Sequence, residues 1–243
     1  MSGTSGADGA TPARGEEDAG VFRRAWAILW KDLLIEGRNK QSFTAMVSFA
    51  ALVLFLFTFA VGPDPELLGR LAGGLLWVGI VFTGMLSLSR TYQSEEKGGG
   101  LEGLKMYPGE LRSIYLGKLA ANFVLLALVE ALLYPAAAVL FQIDMWPHAP
   151  QLAAVAFLGT FGFSVVGTFY AALTVHLRAR ELMLPLLLFP ALVPVLLGAV
   201  NATTLTLTGD PMGNFGSWFR LLVAFDVIFF VICTWIFPIL LED

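Results

Sequence analysis

Six apolar runs dominate this chain, and each is long enough to cross a lipid bilayer as a helix. About 20 apolar residues span the roughly 30 Å of hydrocarbon, and a helix satisfies its backbone polar groups without water. The runs leave no length for a separate soluble catalytic domain. The sequence therefore predicts an all-α polytopic membrane protein with transmembrane helices at Phe43–Val61, Leu71–Ser89, Leu119–Phe141, Leu152–Val175, Leu182–Ala202 and Trp218–Leu241.

The positions of the cations predict how these helices are oriented. Thirteen of the fifteen Lys and Arg residues lie before the first run, between the second and third, or between the fourth and fifth. Only Arg70 and Arg220 lie on the opposite side. Because basic residues near span ends are retained in the cytoplasm, we expect a multi-pass membrane protein whose two termini and polar segment between the second and third spans are cytoplasmic.

The N-terminal 42 residues have two characters. Residues 1–20 are rich in small and acidic residues and lack an apolar signal-peptide core, which predicts a disordered cytoplasmic tail before a six-helix domain at 21–243. From Val21 the pattern favours an amphipathic helix along the membrane interface, with Arg24 and Lys31 opposite an apolar stripe. The alternative is a solvated extension of the first span. The stripe consists of Phe22, Trp26, Leu29 and Leu33.

Two acidic residues, Glu130 and Asp226, lie inside predicted spans. Carboxylates are costly in a bilayer and often mark ion or substrate pathways, so both are candidate pathway residues, and a proton relay is one interpretation. The alternative is structural. In that case each would hydrogen-bond a neighbouring helix, or Asp226 would pair with Arg220.

Metal, nucleotide and enzyme motifs are missing from the sequence. His148 lies beside Trp146 in a predicted outer loop and His176 ends the fourth span, and a lone imidazole is weak evidence for ligation. The spacing of a phosphate-binding loop does not occur, and neither does a nucleophile elbow or a zinc-binding helix. We therefore expect no catalytic residue, no metal, no directly bound cofactor and no nucleic acid.

Two spans carry packing signals. Pro185, Pro190 and Pro194 interrupt the fifth run, which favours kinks and leaves a split or re-entrant span open. The fourth run has a face of small residues that predicts close helix packing, against either another span or another subunit. This face consists of Gly159, Gly162, Ser164, Gly167 and Thr168.

The polar segment from Arg90 to Lys118 separates the second and third spans. Its acidic–Gly–x–Leu–Glu–x–Leu run before Pro108 resembles the cytoplasmic loop of half-size permeases of the ATP-binding-cassette type. The resemblance implies an ATPase-coupling loop in which leucines enter a groove and an acidic residue meets a basic partner. The candidate coupling residues are Glu95, Glu96, Gly98, Gly100, Leu101, Glu102 and Leu104.

Two further segments narrow the family. The run at 62–78 begins Gly-Pro-Asp-Pro-Glu-Leu-Leu and closely resembles the first outer loop and second span of the haem exporter protein B family, the cytochrome c maturation permeases. The runs at 172–178 and 186–196 are similar to that family's fourth and fifth spans. The chain departs from the family pattern at Asn122, where a His is frequent, and at Ala179-Arg180-Glu181, where a Gly-Gly pair is usual.

The resemblance implies a non-enzymatic permease subunit of the bacterial inner (cytoplasmic) membrane. This subunit would pair with a separate cassette ATPase, as two copies of each. It also implies a haem-handling membrane protein and a periplasmic haem chaperone as partners, with haem as candidate cargo. Two alternatives stay open. One is an export permease for a lipid-linked glycan or drug, and the other is an assembly module that transmits ATP-driven motion without transporting anything.

Overall fold

The computed structural model describes residues 14–38, 40–92, 111–174 and 180–242, which form helices and the turns between them. Six of the helices are long and apolar enough to cross a membrane, which confirms the prediction of six spans preceded by an N-terminal helix. The helices are α1 (Arg14–Arg38), α2 (Lys40–Val61), α3 (Pro65–Thr91), α4 (Arg112–Phe141), α5 (Ala149–Thr174), α6 (Arg180–Thr208) and α7 (Phe215–Glu242), with a short 3-10 turn at Trp146–His148.

Helices α3 and α7 begin earlier than hydrophobicity alone predicted, and at both starts an aspartate accepts hydrogen bonds from backbone N–H groups. At the start of α3 the Asp64 carboxylate accepts hydrogen bonds from the backbone N–H groups of Glu66 and Leu67, at 3.0 and 3.1 Å, and Pro65 occupies the first turn. Gly62 has a φ of +84°, which reverses the chain before the cap. The Gly-Pro-Asp-Pro-Glu run is therefore a helix start signal as well as a family resemblance.

The N-terminal helix also starts before its predicted boundary. Helix α1 begins at Arg14, whereas the sequence predicted a disordered tail as far as Gly20. Residues 16–18 are Glu-Glu-Asp, and acidic residues in the first helical turn stabilise the positive end of the helix dipole. Residues 1–13 lie outside the described part of the chain, so the tail prediction is untested there.

The connections define two ends of the helix bundle. The first turns of α2, α4 and α6 and the last turns of α3, α5 and α7 lie at one end, called here the termini end. The turns at 62–64, 142–148 and 209–214 lie at the other, called the loop end. Helices α3 and α5 form the centre, because 67% of the residues in their apolar segments are buried against 22–33% in the other four spans.

The small residues of α5 let its neighbours approach closely. A methyl group at Gly159 would overlap the Trp77 ring of α3, and one at Gly167 would overlap Leu88 of the same helix. The Trp77 indole also donates a hydrogen bond of 3.0 Å to Thr203 of α6. The small-residue face therefore packs against spans of its own chain, which settles the alternative left open by the sequence.

Helix α6 is continuous through its three prolines, from Arg180 to Thr208. It packs against α3, α5 and α7. The fifth span is thus one tilted or kinked helix, and neither a split nor a re-entrant segment is found.

Candidate functional site

A buried lysine joins three helices at the termini end. Only 1% of Lys118 in α4 is exposed, and its ammonium lies 3.3 Å from the Asp32 carboxylate of α1. The same ammonium donates to the Thr91 carbonyl at 3.0 Å and lies 4.8 Å from the centre of the Tyr92 ring. Lys118 therefore ties α1 to the last turn of α3, and we call these four residues the Lys118 cluster.

One turn along α4, Asn122 extends the Lys118 cluster into the bundle. Its side-chain oxygen accepts hydrogen bonds from the Thr91 hydroxyl at 3.0 Å and from the Ser87 hydroxyl at 3.4 Å. Its amide donates to Thr168 of α5 at 2.9 Å. A buried polar group needs such partners, so Asn122 fixes the relative positions of α3, α4 and α5 at this end.

Helix α1 lies directly against α4. A methyl group at Gly117 would lie 2.7 Å from Ile28 Cβ and 2.8 Å from the Ala25 carbonyl oxygen, so glycine permits this close approach. On other sides of α1 the aromatic residues Phe22 and Trp26 are exposed. Exposed aromatics beside charged groups suit the membrane interface, which supports an amphipathic interfacial helix that is also docked on the bundle.

The predicted coupling residues Glu95, Glu96, Gly98, Gly100, Leu101, Glu102 and Leu104 lie outside the described residues, which stop at Tyr92 and resume at Leu111. The residues on both sides of this range belong to helices. Thr91 and Tyr92 belong to the Lys118 cluster before it, and α4 begins at Arg112 after it.

The two intramembrane carboxyls have different surroundings. Glu130 of α4 is buried and accepts a short hydrogen bond from Thr160 of α5, as the structural alternative predicted. Asp226 of α7 is 4% exposed and packs against Gly162, and neither of its oxygens has a hydrogen-bond partner among the described residues. The predicted link to Arg220 is wrong, because the Arg220 guanidinium donates to the Gly216 carbonyl instead.

Helix α5 lies between these two carboxyls. Their contacts on α5, Thr160 and Gly162, are two residues apart, which is about 200° around a helix. Glu130 and Asp226 therefore approach α5 from nearly opposite sides. A relay between them along one face of α5 has no support in this arrangement, although each remains a candidate pathway residue.

The histidines form no metal site in the part of the chain that the structure describes. His148 lies in the short turn at the loop end, half-buried, and its backbone N–H donates to the Met145 carbonyl. No group of three His, Cys, Asp or Glu residues within the described ranges is arranged to hold a metal ion. His176 lies outside those ranges.

Sequence reasoning missed the Lys118 cluster. It counted Lys118 only as a cation at the edge of the polar segment, yet the residue is buried and paired. One local signal was available, since a lysine followed four residues later by asparagine inside an apolar run places two polar groups on one helix face. The partner Asp32 is 86 residues away and no local pattern indicates it.

These features define a multi-pass helical membrane protein of the permease type, with an interfacial helix locked to the edge of a polar connecting segment. The protein-family model described as CcmB protein matches residues 23–242 of this chain, and the chain therefore belongs to this family. Relatives named "Heme exporter protein B" include that of Rhodobacter capsulatus, 36% identical over 70% of this chain and 78% of its own. The protein of the same name from Paracoccus denitrificans is 35% identical over 76% of this chain and 85% of its own length. That from Haemophilus influenzae is 34% identical over 77% of this chain and 84% of its own length.

Proposed function

We propose that this chain is the membrane permease subunit of an ATP-binding-cassette complex for haem delivery in c-type cytochrome biogenesis. The observation that carries the proposal is family membership across residues 23–242, with relatives named as haem exporters covered over 78–85% of their length. Six spans and a short interfacial helix suit a subunit that receives its ATP-driven motion from another chain.

The proposed orientation puts both termini in the cytoplasm of a bacterial cell. It is supported by the thirteen cations on the termini side of the chain. With Cys233→Ser as background, Met212→Cys at the loop end should react with an impermeant thiol reagent added outside whole cells. Ser94→Cys should not react, and its labelling from outside would reverse the orientation.

The polar segment 90–118 is the proposed contact with the ATPase, through Leu101, Glu102 and Leu104. The Lys118 cluster suggests how a movement of the polar segment at that contact would be transmitted to the helices. A displacement of the segment would pull on Thr91 and Tyr92, which Lys118 ties to Asp32 on the interfacial helix. In this mechanism α1 and the adjoining ends of α3 and α4 move together as one lever.

The proposed complex contains two copies of this chain and two ATPase subunits, together with a haem-handling membrane protein and a periplasmic haem chaperone. ATP hydrolysis would drive release of the haem-loaded chaperone. Passage of haem through this subunit is a separate step. In purified complex reconstituted in vesicles, chaperone release without haem flux would favour the assembly module, and flux with release would favour a haem exporter.

Deletion of the gene tests the proposed function. Covalent haem attachment to periplasmic c-type cytochromes should disappear, b-type cytochromes should remain, and the wild-type gene should restore attachment. His148→Ala should complement almost fully, because one half-buried imidazole without a second ligand is a poor haem site. Normal cytochrome c in the deletion strain would overturn the assignment and favour an exporter of another cargo, such as a lipid-linked glycan or drug.

A further inference from the structure

A cavity of about 340 Å³ lies between α4 and α5, in the half of the bundle nearer the loop end. Small side chains create it, because alanines on both helices leave the space between them unfilled. Volumes of about 300–1,000 Å³ are typical of small-molecule sites. The alanines that line it are Ala127, Ala131, Ala138, Ala149, Ala153 and Ala156.

The inner wall of this cavity carries hydrogen-bonding groups. Glu130 lines it with a buried carboxyl that already accepts from Thr160. The buried Tyr134 hydroxyl, also in the wall, faces Thr203 without a hydrogen bond of good geometry. Pro135 has no N–H, so the carbonyl of Ala131, four residues earlier, lacks its usual helical donor. The inner wall therefore offers acceptors at Glu130 and the Ala131 carbonyl, beside a Tyr134 hydroxyl that can donate or accept.

The outer rim is apolar and faces away from the bundle. Trp146 and Phe157 line the rim and are 74% and 56% exposed. Both lie in the apolar segment Trp146–Thr174, which is long enough to span a membrane. An occupant would therefore arrive from the bilayer, and its apolar body would replace lipid chains against the alanines.

We propose that this cavity is a binding site for a membrane-dissolved neutral amphiphile whose hydroxyl group donates a hydrogen bond to Glu130. The apolar walls match an aliphatic or aromatic body, and the acceptors on the inner wall match one donor at its end. A hydrocarbon without a donor would leave the buried carboxyl facing an apolar group, which is unfavourable. This inference stands independently of the proposed function, because it concerns binding by this chain alone.

Photolabelling of the full-length chain in lipid nanodiscs tests the proposal. The probe is a dodecanol that carries a diazirine on its alkyl chain, and the comparison probe is the matching dodecane without the hydroxyl. We expect saturable labelling of α4 and α5 peptides by the alcohol, about fivefold to tenfold above the alkane, which is the size of one buried hydrogen bond. Equal labelling by both probes would show an ordinary lipid-filled gap and overturn the proposal.

Three variants locate the site. Ala153→Phe should fill the cavity and abolish saturable labelling, whereas Leu128→Phe, at an exposed position of α4 outside the cavity lining, should leave it unchanged. Glu130→Leu should reduce alcohol labelling about tenfold and leave alkane labelling unaffected. Unchanged alcohol labelling in Ala153→Phe would contradict the proposal even if Glu130→Leu fails to fold.

Discussion

Replacing Asp32 with Asn should undock the interfacial helix more than replacing its partner Lys118 with Met. The ion pair is 3.3 Å long, so its gross attraction is about 5 kcal/mol at an effective dielectric of about 20. Desolvation offsets much of this attraction, and the Thr91 carbonyl and Tyr92 ring still contact the ammonium in Asp32→Asn. We expect a net loss of about 2–3 kcal/mol in the docking of α1, or about 30- to 150-fold faster local opening.

The asymmetry between the two variants follows from burial. Asp32→Asn leaves an ammonium that is 1% exposed without its carboxylate, whereas Lys118→Met leaves a carboxylate that is 19% exposed and still 3.3 Å from Lys31. The Lys118→Met change should therefore cost less than about 1 kcal/mol, because the aspartate can hydrate and Met fills the space. In the double variant the opening of α1 should return close to the Lys118→Met value.

Hydrogen–deuterium exchange of α1 peptides, in protein held in nanodiscs, measures this opening. Lys31→Met is the matched control, because Lys31 pairs with the same carboxylate from an exposed position and should change exchange little. Faster exchange in Lys118→Met than in Asp32→Asn would refute the reasoning. Failure of the double variant to recover would refute it as well.

Three further predictions concern packing and capping. Gly117→Leu should speed hydrogen–deuterium exchange in α1 with little change in the melting of the six spans, because any larger side chain collides with Ile28 and the Ala25 carbonyl. Unchanged exchange would show that α1 does not pack against α4 at Gly117. Asp226→Asn should match the wild-type melting temperature, since the buried carboxyl that it replaces has no hydrogen-bond partner among the described residues, and a clear loss of stability would reveal a partner of that carboxyl. The backbone N–H groups of Phe215 and Asn214 hold the pKa of Asp210 below its usual value, so its stabilisation of the start of α7 is present above about pH 4 and is lost as the pH falls through the lower folded pKa. Asp210→Ala should therefore melt below wild type at pH 6, and this difference in melting temperature should narrow as the pH falls below about 4. A difference that does not narrow would exclude the carboxylate as its cause.

The spans were predictable because their signal is local. Length and apolarity alone decide whether a segment such as Phe43–Val61 crosses a bilayer, and the structure repeats that span to the residue. The helix starts were less accessible, since Asp64 acts through backbone N–H groups that a hydropathy pattern does not register.

The contacts between helices could not be predicted from the sequence. The Trp77–Thr203 hydrogen bond joins residues 126 positions apart, and the Lys118 cluster exists only because α1 folds back along α4. The cavity beside Glu130 required knowing which alanines face each other across α4 and α5. One membrane carboxyl and a set of common small residues could not indicate that arrangement.

The contact with a separate ATPase is the central claim, and co-purification from native membranes tests it most directly. Glu102→Lys reverses a charge in the proposed docking segment, where loss of one partner of a desolvated pair costs about 2–5 kcal/mol. Glu66→Lys is the control, because Glu66 pairs with Arg70 on an exposed surface at the loop end. Tagged Glu102→Lys protein should insert normally and lose the ATPase, while Glu66→Lys protein retains it. Retention of the ATPase by Glu102→Lys at the wild-type level would contradict the account.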